Sequence, residues 1–177
     1  MKHRAAIVLG MFLCAGALAQ VYNIPAYQSA PQDLPRVVGP QPVPFNHKVH
    51  AESNINCVDC HKSAQKKWVA GLPNLDDCMV CHQSIATDHE QVQKLIQLTS
   101  MGVNKVNWVR VYDLPDFVFF SHKQHHKAKV GCQECHGPVG THAVLNQEMS
   151  INMISCMKCH GERGASNECF LCHDLGQ

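Results

Sequence analysis

The chain has 177 residues, with 15 basic against 14 acidic side chains, 13 histidines and 11 cysteines. A formal charge of +1 offers no basic face of the kind that nucleic acid requires. Aromatic residues make up 6% of the chain, thin for the interior of one domain or two small ones, so something besides side chains is expected at the centre.

In chain order, Lys2, His3 and Arg4 form a positive start and Ala5 to Leu18 an apolar run. Ala17-Leu18-Ala19 then has the small-x-small form that signal peptidase cuts. Residues 1–19 are expected to be a signal peptide, or an N-terminal anchor if they are retained. The run is shorter than the roughly 20 residues of a spanning helix, and Cys14 sits within it as one more apolar member. The expected location is the periplasm, with attachment to the outer face of the cytoplasmic membrane if the segment stays on. Residues 20–44 hold Pro25, Pro31, Pro35, Pro40, Pro42 and Pro44 and read as a proline-rich extended arm.

From residue 45 the sequence duplicates. Phe45-Asn46-His47-Lys48-Val49-His50 precedes a Cys-x-x-Cys-His motif at 57–61, and Phe120-Ser121-His122-Lys123-Gln124-His125 precedes another at 132–136. Two modules result, 45–116 with two such motifs and 117–177 with three. After the second motif, at 78–82, a helix is expected with Asp88 as its N-cap, Val92, Leu95, Ile96 and Thr99 at helical spacing, and Gly102 at its end. Val106, Trp108 and Phe117 to Phe120 suggest short extended pieces broken at Pro115. The last two motifs lie close together, at 156–160 and 169–173.

Ten of the eleven cysteines thus fall in one frame: Cys57 and Cys60, Cys78 and Cys81, Cys132 and Cys135, Cys156 and Cys159, Cys169 and Cys172. His61, His82, His136, His160 and His173 follow them directly. This is the attachment motif of c-type haem. Two thiols three positions apart each form a thioether with one vinyl group, and the adjoining imidazole becomes the proximal iron ligand. Structural zinc uses cysteine pairs two at a time and has no need of histidine after each pair. A thioredoxin-like motif would be single and set in a βαβ pattern, which is not visible. Five covalently bound haem c groups are therefore expected. The fold should be mostly irregular and α with few short strands, a small multihaem cytochrome c fold organised around those haems, with Trp68 and Trp108 packed against haem faces.

A low-spin haem iron takes a second axial ligand. His47, His50, His122 and His125 are the candidates for four irons, against the rival reading of surface histidines beside haem pockets. Two histidines three apart on a helical turn can address two different irons. His126 is expected to face solvent or a propionate. Lys66, Lys67, Lys123, Lys127 and Lys129 could pair with propionates or form a docking face, and a solvated surface is the plainer alternative.

These motifs resemble the class III multihaem cytochromes c, small exported electron carriers with bis-histidine haems. The resemblance implies the pairings His47 with His61, His50 with His82, His122 with His136 and His125 with His160. The run from Trp108 to His122 and the spacing of the last two motifs are similar to five-haem members, such as the pentahaem subunit of alternative complex III, a bacterial quinol-oxidising assembly. In three-haem relatives the remaining iron takes a histidine just before the module's middle motif. Here that place holds Met153 instead, with His142 and His89 as further candidates.

The expected function is electron transfer from haem to haem by a non-enzyme, as a subunit or partner of a membrane quinol-oxidising respiratory complex. A free periplasmic carrier is the alternative. A haem reductase with an open site at the fifth motif is a third reading. The expected partners are redox proteins, with no nucleic acid and no dedicated small-molecule site.

Overall fold

The computed structural model describes residues 34–173. The expected signal segment, the arm up to residue 33 and residues 174–177 lie outside the described residues. The described residues belong to one compact unit, so the duplicated sequence folds into a single body.

The described residues form short helices joined by irregular segments: α1 (His47–Glu52), α2 (Cys57–Cys60), α3 (Leu75–His82), α4 (Glu90–Ser100), α5 (His122–Lys127), α6 (Cys132–His136), a 3-10 turn (Val139–Thr141), α7 (Met153–Glu162) and α8 (Cys169–Cys172). Every cysteine motif starts on a helical turn. At three of them a carboxylate near the start accepts the backbone N–H that precedes the helix: Asp59 from Asn56, Asp77 from Asn74 and Glu134 from Gly131. Each satisfies a donor the helix leaves orphaned and places negative charge at its positive end.

Instead of short strands, the described residues contain two isolated antiparallel bridges, Arg36 with Gln147 and Val118 with His173. The expected extended piece at 106–108 pairs with nothing as a strand. Val106 and Trp108 instead pack against the cluster of Val43, Leu75 and Leu95, and Trp108 Nε1 donates to Pro73 O at 2.8 Å. The long helix begins one residue later than expected. His89 is its N-cap, in extended conformation, and its Nδ1 accepts from Gln91 N. Gly102, at φ +76°, follows the C-cap Met101, where a left-handed residue costs glycine least.

The side-chain core is small and sits where α3 meets α4, with Leu75 fully buried. The described end of the arm is strapped to its own chain. Arg36 donates to Gln147 Oε1 at 2.8 Å and to Val111 O at 2.7 Å. Gln41 exchanges hydrogen bonds with Val109, and Val43 enters the core.

Candidate functional site

α1 and α5 are built alike, residue for residue. Asn46 and Ser121 cap them, accepting from Val49 N and Gln124 N. One phenylalanine before each helix touches both of its histidines in the same way. Phe45 meets His47 edge-on at 4.7 Å and lies along His50 at 4.4 Å. Phe120 meets His122 edge-on at 4.8 Å and tilts over His125 at 4.5 Å. The second histidine of each pair donates from Nδ1 to the cap carbonyl, His50 to Asn46 O at 2.8 Å and His125 to Ser121 O at 2.9 Å. The repeated Phe had no assigned role in the sequence reading, although its identity in both copies was the available signal.

Each of these histidines finds a motif histidine. The ring centres of His50 and His82 are 6.1 Å apart, those of His122 and His136 6.4 Å, and those of His125 and His160 6.1 Å. Two imidazoles bound through Nε2 on opposite sides of one metal, at about 2.0–2.1 Å each, have ring centres about 6.3 Å apart. The interplanar angles of 75°, 5° and 40° differ. Rotation about the ligand axis changes that angle without changing the spacing. His47 neighbours His61: burial first, then the charges of His61 and His50, hold its pKa down at about 4. Burial, then His122 and His61, lower His136 likewise. Neutral imidazole is the ligating form.

The outer nitrogens fix the tautomer. His61 Nδ1 lies 2.8 Å from Gly71 O, His82 Nδ1 3.0 Å from Ile85 O, His122 Nδ1 2.8 Å from Trp68 O and His160 Nδ1 2.7 Å from Ser166 O. A carbonyl can only accept, so Nδ1 carries the proton and the Nε2 lone pair is left for a metal. His173 makes a longer contact of the same kind with Phe117 O, 3.4 Å, while its ring leans on that of Phe117. His47 Nδ1 is buried without such a partner.

Among the described residues no group of three or more His, Cys, Asp or Glu side chains converges as a bare metal ion would need, and the ten motif cysteines are free thiols. Zinc does not fit this donor set. A metal that brings its own equatorial plane and takes two facing imidazoles does fit, and the flanking thiols are placed for thioether formation. Haem is that group.

Tyr112 was missed by sequence reasoning. Its hydroxyl donates to His136 O at 3.2 Å and accepts from Glu148 N at 3.1 Å and Met149 N at 3.2 Å. Its ring stands edge-on to His136 at 4.7 Å. Nothing in the sequence around Tyr112 signals this, because its partners lie 24 to 37 positions away.

The other candidates fare differently. His89 is exposed and its Nδ1 accepts a hydrogen bond, leaving its proton on Nε2, the opposite of the ligating tautomer. His142 lies against α1, its backbone carbonyl accepting from Lys48 N at 3.0 Å, and its Nε2 faces Glu148 Oε1 at 3.0 Å. Met153 is the first residue of α7 and half exposed; His126 is exposed. Lys123 N donates to Lys67 O, which brings the lysines of the two modules side by side.

Two family models match the sequence. Residues 25–105 match the class III cytochrome c family and residues 118–174 match cytochrome c7 and related cytochromes c. No curated protein matches the chain.

Proposed function

The chain belongs to the class III-like multihaem cytochromes c, which carry electrons on covalently attached c-type haem, and from that premise we propose that it holds five haems and passes electrons among them as a non-enzyme. The observation that carries this reading is the set of three imidazole pairs at 6.1 to 6.4 Å, each joining a motif histidine to α1 or α5. Haem iron, when bound, supplies a one-electron couple.

The chain's own residues do the rest. Cys57 and Cys60, Cys78 and Cys81, Cys132 and Cys135, Cys156 and Cys159, and Cys169 and Cys172 anchor the five groups. His61, His82, His136, His160 and His173 are the proximal ligands. His47, His50, His122 and His125 close four of the irons on the opposite side, in the pairings with His61, His82, His136 and His160. Met153 closes the fifth. It stands one helical turn before Cys156, on the same face, and the Cys156 thiol, raised by burial, is raised next by Cys172 of the last motif. A haem held by two side chains of the chain would offer no place for substrate, which separates a carrier from a reductase.

The protein works outside the cytoplasm, with a redox protein of a membrane quinol-oxidising complex as its partner. Similarity between motifs as well as within them supports that placement over a free carrier. Among the described residues no helix is long and apolar enough to cross a membrane, so attachment would rest on residues 1–19 or on the partner. N-terminal sequencing of membrane and soluble fractions decides whether residues 1–19 are retained.

The central test is the intact mass of protein matured in a cytochrome-producing host. It should exceed the polypeptide by five haems. A mass equal to the polypeptide alone, or to polypeptide plus zinc, would end the proposal.

A further inference from the structure

Resting on the reading that each motif holds one haem, we infer that the five sites stand in the spatial order second, first, third, fourth, fifth. They form one unbranched line whose ends are the sites of His82 and His173, and whose crossing between the modules joins the site of His61 to that of His136.

Each link rests on contacts between the chain's own residues. The second and first sites share α1, since His50 faces His82 while His47, three residues earlier, neighbours His61. Lys62, directly after the first motif, pairs with Asp77, directly before Cys78, at 2.5 Å.

The first and third sites meet across the modules. His122 takes the carbonyl of Trp68 twice, from its backbone N at 3.0 Å and from Nδ1 at 2.8 Å, and Trp68 lies in the loop after the first motif. Lys123, the residue after His122, donates from its backbone N to Lys67 O of the same loop at 3.1 Å. α1 also packs against the 3-10 turn that follows the third motif.

The third and fourth sites share α5, with His122 facing His136 and His125 facing His160. Arg163 at the end of α7 pairs with Glu134 inside the third motif. The fourth and fifth are joined by Asn167, two residues before Cys169, which donates to Met157 O inside the fourth motif at 3.0 Å. The crossing from first to third site is therefore built by tertiary contacts between residues 54 or more positions apart.

The residues between the cysteines sort in the same way. At the two ends they are wholly apolar, Met79-Val80 and Phe170-Leu171. At the three inner sites each pair carries a charge, Asp59, Glu134 or Lys158. Cysteines three apart share one helix face, so the pair between them points elsewhere, and Val80, Phe170 and Leu171 are exposed by 67%, 62% and 54%. An approaching redox partner would meet no charge between the cysteines at these ends, and so less to strip of water there. An electron enters from a one-electron donor protein at one end and leaves to a one-electron acceptor protein at the other. Each transfer oxidises one site and reduces the next, with no bond made or broken.

The order predicts which sites repel one another when reduced, because the interaction of charges falls with separation. In stepwise reduction of the unaltered protein followed by NMR of the haem methyl groups, the four largest pairwise interactions should join second to first, first to third, third to fourth and fourth to fifth. A second measurement uses His50→Met, since Met/His ligation raises potential. The second site should then reduce earlier than in the unaltered protein, and the largest downward shift should fall on the first site. His125→Met should instead shift the third and fifth sites together. A dominant interaction between the second site and the third, fourth or fifth overturns the order, as does a His125→Met response at one neighbour only. Mass separates the two failures. Fewer than five haems removes the underlying reading, whereas five haems with another interaction pattern removes the order alone.

Discussion

The rings of His122 and His136 lie 6.4 Å apart with their planes only 5° from parallel. His122 reaches this position because its Nδ1 and backbone N both donate to Trp68 O, in the other module. The imidazole of one half is thus aimed by the other half.

Removing that imidazole should open one iron. Reduced His122→Ala is expected to bind one equivalent of carbon monoxide per chain, while the unaltered protein binds none. Titration of the Soret spectrum reads both. A variant as inert as the parent would show that His122 is not a ligand, and full binding at one site of the parent would favour a reductase with an open fifth site.

On the proposal that Met153 closes the fifth site, that site has a different character. Met/His ligation raises a haem potential relative to bis-histidine, so this site should be the first to reduce. In Met153→His the near-infrared band of methionine-ligated ferric haem should vanish and the highest-potential wave should move down. If both persist, Met153 is only an exposed residue at the start of α7.

Tyr112→Phe deletes a hydroxyl that holds His136 O, Glu148 N and Met149 N together. Leaving such groups unpaired costs about 1–3 kcal/mol. Denaturant unfolding of the haem-loaded protein should show a loss in that range, with a changed spectrum or potential at the third site. An unchanged midpoint would mean that water replaces the hydroxyl without cost.

Asp77 should make stability depend on pH. Its hydrogen bond from Lys62, then that from Asn74 N, hold its carboxyl below the usual range. A lowered native pKa means stability that is present above the unfolded value and lost as pH falls through the native one. Both partners are partly exposed, with side chains 28% and 58% accessible, so solvent screens the pair and the effect is small. Asp77→Asn should lower the unfolding midpoint slightly at neutral pH, in denaturant unfolding, and leave it unchanged in strong acid. An equal loss at both pH values would contradict the charge argument.

Much of the site was legible because its chemistry is local. A thioether pair and a proximal ligand need residues at i, i+3 and i+4, which a string of letters shows directly, and Phe-x-His-x-x-His repeats within seven positions of sequence. Helix α4 was legible apart from one residue at its start, where His89 rather than Asp88 accepts the capping bond. The expected strands were less so. Val106 and Trp108 have the side chains of a strand, yet no partner chain segment lies beside them to make one, and their apolar surface goes into the core instead.

The amino-acid order by itself set out the five Cys-x-x-Cys-His frames and the repeated Phe-x-His-x-x-His, because both patterns are made of neighbours along the chain. Only the tertiary structure decided which imidazoles face one another, which carbonyls hold the Nδ1 atoms of His61, His122 and His160, and that Tyr112 supports His136. Those contacts join residues tens of positions apart, and the energy that selects them comes from how the whole chain closes on itself.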